Sequence, residues 1–222
     1  MQNWPAALRL QFEVLLAQFM AGTGAAWIGI AALECLGSPA VGGTRRLGGR
    51  LEILAGQPLS RAFVWMQGPE PELWLDPRDK GYRDLFDLFA RTRLGLAGRP
   101  TGADWNVDHV FPKAAGALDG LSHVRAMAIG APGNQALGRT MEKAMKQRAD
   151  LAPGRKRIRH ATWMTIGKAA GYDGWESLPE GDAPPNAPAV AMLFTHLGRM
   201  GIHPPAGALE QGLTAHTMGR IR

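Results

Sequence analysis

Three consecutive stretches near the middle of the chain constrain its fold more than any other part of the sequence. Residues 106–111 and 124–129 are short apolar runs separated by turn-forming residues, as is typical of β-strands. Residues 135–149 form a basic, helix-like stretch, and Pro132, Gly133 and Asn134 come directly before it. Because asparagine is favoured immediately before a helix, Asn134 is predicted to cap this one. The predicted order is therefore strand, loop, strand, loop, helix.

The sequence on either side predicts a mixed α+β fold. An N-terminal part of helices and a small antiparallel sheet is expected over residues 1–100, and a central module with a basic extension over 101–176. A proline-rich linker, a helix and a tail are expected over 177–222. Helices are predicted at 6–20, 25–36, 82–94, 162–170 and 189–200, and strands of the small sheet at 51–54, 62–66 and 72–75.

Two features bear on the compartment in which the chain works. Cys35 is the single cysteine, which excludes an internal disulfide framework and any cysteine-rich zinc module. A reducing compartment, and so a cytoplasmic location, is expected. The 20 residues between Glu13 and Glu34 carry no formal charge, but a glycine-rich bend at 22–24 interrupts them and no basic cluster sets an orientation. Two buried helices meeting at this bend are predicted rather than a membrane span, and no membrane partner is expected.

Positive charge is concentrated in one part of the chain. The whole chain has a formal net charge of +6, and residues 139–168 hold nine basic residues against two acidic ones. Such a stripe favours a polyphosphate partner, because neutralised phosphates release counterions; a solvated helix face is the alternative. Trp163, Tyr172 and Trp175 lie beside the stripe and either stack on bases or pack a helical core. The residues predicted to contact nucleic acid are Arg139, Lys143, Lys146, Arg155, Lys156, Arg157 and Arg159.

Asp108 and His109 are neighbours in the first central strand. Adjacent strand residues point to opposite faces, so the carboxylate and the imidazole are presented separately. Hydrolysis of a phosphodiester needs a base for the proton of a water molecule and positive charge near the phosphorus. Asp108 can bind a divalent cation, and His109 can take the proton because histidine titrates near neutral pH. Taken alone, the pair also fits a salt-bridged carboxylate and a satisfied polar residue of the core.

The central stretch resembles the motif of the HNH, or ββα-metal, nucleases, in which Asp-His-x-x-Pro is followed by a loop asparagine and a helix. The match covers roughly residues 104–150 and includes Asp108, His109, Pro112 and, 25 residues after the histidine, Asn134. The resemblance implies that His109 is the general base and that Asp108 is a metal ligand. It also implies that Asn134 ties the loop across the module and helps to orient the catalytic histidine.

The helix position of the motif departs from the family pattern. HNH proteins usually carry a His or Asn about nine residues after the loop asparagine, and here that position is Lys143, whose protonated side chain has no lone pair for a metal. Three alternatives remain open. In the first, the adjacent Glu142 is the ligand, in an oxygen-rich site that favours Mg²⁺ or Mn²⁺ over Zn²⁺. In the second, Lys143 replaces part of the metal's charge. In the third, the site is degenerate and binds nucleic acid without cutting it. His123, at the start of the second strand, is a further candidate ligand.

The predicted function is therefore a metal-dependent, HNH-like endonuclease that hydrolyses phosphodiester bonds in DNA. The alternative is a catalytically degenerate HNH-fold module that binds nucleic acid, alone or as one subunit of a nucleoprotein assembly with other proteins. Proteins of mobile elements and of defence systems are compatible with either function. A small interaction protein in which the Asp108-His109 pair has no chemical role is a third hypothesis.

Overall fold

Helices packed on an antiparallel sheet make up the part of the chain that the computed structural model describes, residues 5–22, 25–37, 49–100, 104–139, 158–177 and 187–205. The prediction of a mixed α+β fold is confirmed. The first helix, α1, spans Ala6–Met20, as its apolar spacing predicts. Phe12 and Leu15 on its inner side are fully buried, so the helix packs against the sheet along one face.

The segment after the glycine-rich bend forms a strand. This strand, β1, spans Trp27–Ile30, and a short helix, α2, spans Glu34–Gly37. The prediction of a helix over residues 25–36 is wrong, because a short apolar run fits either a buried strand or a helix and only its tertiary partners decide between them. Gly29 permits the close packing of β1, since a Cβ at this position would lie 2.7 Å from a methyl carbon of Leu121.

The next three strands form an antiparallel meander close to the predicted positions. The middle strand pairs with both neighbours, so Val64 lies opposite Glu52 on one side and opposite Leu73 on the other. A helix follows and covers the sheet with an apolar side that includes Phe86 and Phe89, both fully buried. These elements are β2 (Arg50–Ile53), β3 (Ala62–Met66), β4 (Pro71–Leu75) and α3 (Tyr82–Arg93).

The central stretch contains the predicted two strands and a helix, with two differences. The connection between the strands holds a short helix where a loop is predicted, and the final helix begins at Ala131, directly after the second strand. Asn134 is therefore the fourth residue of that helix, and its predicted capping role is wrong. The elements are β5 (Trp105–His109), α4 (Lys113–Leu118), β6 (His123–Gly130) and α5 (Ala131–Arg139).

The remaining described residues add an edge strand, two helices and a 3₁₀ turn. The edge strand contains Arg159 of the predicted basic stripe and pairs antiparallel with β1. Thr162 caps the helix that follows, in a reciprocal capping box with Thr165. The elements are β7 (Ile158–His160), α6 (Trp163–Ala169), a 3₁₀ turn (Gly174–Ser177) and α7 (Ala187–Arg199).

Strand β6 organises the seven-stranded sheet, whose order is β2-β3-β4-β6-β1-β7 with β5 also on β6. Ala126 is the register partner of both Leu73 in β4 and His109 in β5, so these two strands lie on opposite edges of β6. Strands from both sides of the boundary predicted at residue 100 thus belong to one sheet. None of the helices in the described ranges is long and apolar enough to cross a membrane.

Candidate functional site

The pairing of β5 with β6 separates Asp108 from His109. His109 is in register with Ala126, and Asp108 is in register with Met127. Ala126 belongs to the apolar cluster under α3, whereas Met127 belongs to the cluster formed with α1, α5 and α6. The predicted presentation of the two side chains on opposite faces is therefore present, with the carboxylate on the face that α5 covers.

The imidazole of His109 is completely enclosed, with a relative exposure of 0%. The ring of Tyr82 lies against it at 5.0 Å between centroids, and the ammonium of Lys113 lies 4.7 Å from the centre of that Tyr82 ring. Neither ring nitrogen of His109 has a hydrogen-bond partner among the residues that the structure describes. The nearest acidic atom, Oδ1 of Asp108, is 4.0 Å from Nδ1, which is beyond hydrogen-bond length.

The electrostatic surroundings keep His109 neutral. Burial lowers its pKa from 6.5 to about 4, and although Asp108 favours the protonated form, Lys168 and Lys113 oppose it. A neutral imidazole can accept a proton on its unprotonated nitrogen. The state required of a general base is therefore populated at neutral pH, but the ring does not reach solvent in this conformation.

Lys168 of α6 is the partner of the Asp108 carboxylate. Its Nζ lies 2.9 Å from Oδ2 of Asp108 and donates a hydrogen bond of 2.8 Å to the backbone carbonyl of His109. The side chain of Lys168 is 2% exposed and that of Asp108 is 17% exposed. Burial alone raises the pKa of Asp108, but the charge and hydrogen bond of Lys168 outweigh it, and the pKa is lowered. The carboxylate is therefore ionised and paired at neutral pH.

Asn134 lies at the other end of the β5–β6 pair from His109. Trp105, at the start of β5, is opposite Gly130, whereas His109 is opposite Ala126, so about 13 Å of strand separates the two ends. The amide oxygen of Asn134 is buried and has no hydrogen-bond partner in the described ranges. No hydrogen bond joins Asn134 to His109 there, so the structure does not bring these two motif residues together.

Gly133, predicted to precede the helix, lies in its first turn and has a packing role there. A Cβ on Gly133 would lie 2.4 Å from the carbonyl oxygen of Tyr172 and 2.9 Å from the backbone of Gly171. The first turn of α5 therefore packs directly on the backbone that follows α6. This close approach explains a glycine inside a helix, where it otherwise lowers stability.

The described members of the predicted basic stripe do not form one solvated face. Arg139 is exposed at the end of α5, but Arg159 forms an ion pair with Asp119 and lies over the ring of Phe111. Lys168, counted with the stripe, is buried. The other predicted contacts and the second predicted metal ligand lie outside the described residues: Lys143, Lys146, Arg155, Lys156, Arg157 and Glu142.

The further candidates from the sequence serve the core. His123 bonds to the hydroxyl of Ser122 at 3.0 Å and to the carbonyl of Leu59 at 2.8 Å, so it is engaged away from Asp108. Trp175 and Tyr172 are buried, and their rings pack edge to face. Trp163 is partly buried between Phe19 and Phe194. Of the two alternatives for these aromatic residues, core packing is the one observed.

The described residues do not fit a divalent cation at Asp108. The carboxylate is already paired with an ammonium, and the His109 side chain projects from the other face of the strand. Within the described ranges, no group of three or more His, Cys, Asp or Glu side chains is placed to hold a metal ion. The predicted Mg²⁺ or Mn²⁺ therefore depends on Glu142, outside these ranges, and on displacement of Lys168.

Lys168 is the site residue that sequence reasoning missed. The sequence does contain a signal for it, since Lys168 is the one charged residue of α6 and is flanked by Ile166, Gly167, Ala169 and Ala170. A lysine in such a run is buried only when it has an acidic partner. The identity of that partner, 60 positions earlier in the chain, is set by the tertiary fold.

Comparison with known proteins adds no assignment. No family model, curated protein or solved structure matches this chain. The fold and site define a mixed α+β protein with an antiparallel sheet and a buried Asp-Lys pair beside a buried histidine. The resemblance to HNH nucleases stays a prediction from the motif residues in the sequence.

Proposed function

We propose that residues 104–139 form the strands and the start of the helix of an HNH-like site, and that the protein hydrolyses phosphodiester bonds in DNA with His109 as the general base. The order of β5, β6 and α5 supports this function. The position of Asp108 and His109 at the end of the first strand supports it as well, because the two side chains reach opposite faces there.

The observation that carries the proposal is the buried imidazole of His109 without a hydrogen-bond partner in the described residues. A buried polar group that lacks a partner costs about 1 to 3 kcal/mol of stability. An apolar side chain of similar size would fill the same space without that cost. A histidine at this position is therefore explained better by a role in proton transfer than by a role in core packing.

The chain's own residues account for two parts of the reaction. His109 takes the proton of the attacking water, since its lowered pKa of about 4 leaves it neutral at physiological pH. Lys113, exposed at the start of α4 and close to Tyr82, supplies positive charge to the substrate phosphate on the same face. Tyr82 covers the imidazole in this conformation, so the reaction requires that its ring move when DNA binds.

A nucleic-acid-binding module without cleavage is the second candidate function. The pairing of Asp108 with Lys168 favours it, because the carboxylate is then unavailable to a catalytic metal ion. The enclosed His109 ring is consistent with the same function. Binding in this case depends on the basic residues of the stripe.

Nicking of supercoiled plasmid by the full chain tests the proposal, with Mg²⁺, with Mn²⁺ and with EDTA. We expect the wild type to nick the plasmid and His109→Ala to reduce the rate by at least about 100-fold, since a general base contributes that much or more. His203→Ala is the matched control, because His203 is exposed and far along the chain from the site. Equal nicking by wild type and His109→Ala would overturn the role of His109. Salt-dependent DNA binding without nicking would favour the second candidate.

A further inference from the structure

One buried cation stands next to the carboxylate that the HNH resemblance assigns to a metal. The ammonium of Lys168 reaches across from α6 and contacts two acceptors, Oδ2 of Asp108 at 2.9 Å and the carbonyl of His109 at 2.8 Å. Both acceptors belong to the end of β5. The lysine side chain is 2% exposed, so the contact is part of the interior and not a surface ion pair.

We propose that Lys168 takes the place of the divalent cation at Asp108. The positive charge of this HNH-like site then comes from a side chain of the protein and not from a metal ion. The inference rests on the proposed function for the identity of the site, but its binding test does not depend on activity. In this arrangement Lys168 is a positioning residue: it neutralises Asp108 and fixes the backbone from which the His109 side chain projects.

The chemistry of the two cations explains why they exclude each other. Mg²⁺ binds carboxylate oxygens at about 2.0 to 2.1 Å and keeps several water ligands in an octahedral shell. An ammonium at hydrogen-bond distance from the same carboxylate occupies one of the oxygens that such an ion would use. Two cations brought to one buried carboxylate also repel each other strongly, because the interior screens charge poorly. A divalent ion can therefore enter only if Lys168 leaves.

The backbone contact distinguishes this lysine from an ordinary buried ion pair. The carbonyl of His109 accepts from Lys168, while the amide of the next residue, Val110, donates to the carbonyl of Arg125 in β6 at 2.8 Å. These two bonds hold the end of β5 from both sides. The position of the catalytic imidazole is thereby coupled to the cation, as it is coupled to a metal in a metal-dependent site.

Binding of Mn²⁺ to the full-length protein, followed by electron paramagnetic resonance at neutral pH, tests the proposal. We expect Asp108→Asn to leave the Mn²⁺ binding of the wild-type protein unchanged, because Asp108 is already paired. We expect Lys168→Met to gain a Mn²⁺ site, because it frees the carboxylate, and the double variant Asp108→Asn with Lys168→Met to lose that site again. A lysine that supports the fold without occupying the cation position at Asp108 would not produce this gain and loss.

Two further comparisons keep the proposal testable if Lys168→Met does not fold. The wild-type arm alone overturns the inference if the protein binds Mn²⁺ and Asp108→Asn abolishes that binding. The plasmid assay gives the second comparison. Nicking that persists in EDTA supports Lys168 as the resident cation. Nicking that requires Mn²⁺ and Asp108 overturns the inference about Lys168 and leaves the role of His109 intact. An absence of nicking under all conditions counts against the proposed function, and the Mn²⁺ arms then decide the role of Lys168 separately.

Discussion

Two buried polar clusters lie along strand β6 and differ in how completely they are satisfied. In the first, Glu72 accepts from Gln18 at 2.6 Å and from the indole of Trp74 at 3.0 Å, and its Oε1 lies 3.4 Å from Arg125. Arg125 in turn donates to the amide oxygen of Gln18 at 2.7 Å. Both carboxylate oxygens and the guanidinium therefore have partners, and this cluster ties α1 to the middle of the sheet.

The second cluster, at the end of β5, is only partly satisfied. Lys168 and Asp108 are paired, but the imidazole beside them has no hydrogen-bond partner within the described residues. A protein gains nothing in stability from an unsatisfied buried group, so the difference between the clusters is consistent with a structural role for the first and with the role proposed for His109 in the second. Under the proposed function, the Glu72 cluster specifies packing, and the His109 cluster retains a group for proton transfer.

The largest expected effect is a loss of stability when the cation of the satisfied Glu72 cluster is removed. Arg125→Met leaves the carboxylate of Glu72 buried without its cation, which costs about 3 to 5 kcal/mol. Denaturant unfolding measures this loss directly. Arg91→Met is the matched control, since Arg91 forms an ion pair with Asp87 on the surface of α3, and such a pair contributes at most about 0.5 kcal/mol. Equal losses in the two variants would contradict a buried ionic cluster at Glu72.

A second expected effect follows from the lowered pKa of His109. The imidazole titrates near pH 6.5 when the chain is unfolded and near pH 4 when it is folded, so the unfolded state binds the proton first as pH falls. Stability should therefore be unaffected by His109 above pH 6.5 and should decrease between pH 6.5 and about 4, by about 3 kcal/mol in total. The difference in unfolding free energy between wild type and His109→Leu isolates this part, because His123 and Asp108 titrate in both proteins. A flat difference curve would mean that the folded imidazole titrates normally and is not buried.

Much of the architecture follows from the sequence where elements are long or bounded by strong signals. The spacing of apolar residues locates α1 and α3, and Gly and Pro delimit the strands of the meander. β1 and β7 are different, because a run such as residues 27–30 has no periodicity of its own and β7 is only three residues long, Ile158–His160. Both are strands because they pair with each other, and β1 also with β6, over more than 90 positions of chain. No local pattern contains that information.

The candidate site divides in the same way. The order of two strands and a helix and the opposite faces of Asp108 and His109 depend on short-range geometry, so the sequence is sufficient to predict them. The burial of His109 under Tyr82 and the contact of Lys168 with Asp108 depend on α3 and α6, which come from distant parts of the chain. Net charge is a weak guide here, since it treats a buried lysine and a solvated one alike. The capping prediction for Asn134 fails because α5 begins directly after β6, with Gly133 packed on the backbone of Tyr172.

The smallest expected effect compares two buried histidines of neighbouring strands. Both ring nitrogens of His123 have partners, the carbonyl of Leu59 and the hydroxyl of Ser122. His123→Leu leaves those two groups without this partner, which lowers the free energy of unfolding by about 1 to 3 kcal/mol. His109→Leu removes a group without a described partner and should raise the free energy of unfolding by about 1 kcal/mol at pH 8, while it abolishes nicking. Denaturant unfolding of the two variants at that pH makes the comparison with the same chemical change at both positions. A loss of stability in His109→Leu as large as that in His123→Leu would mean that the imidazole of His109 serves the fold, and the main support for its catalytic role would be gone.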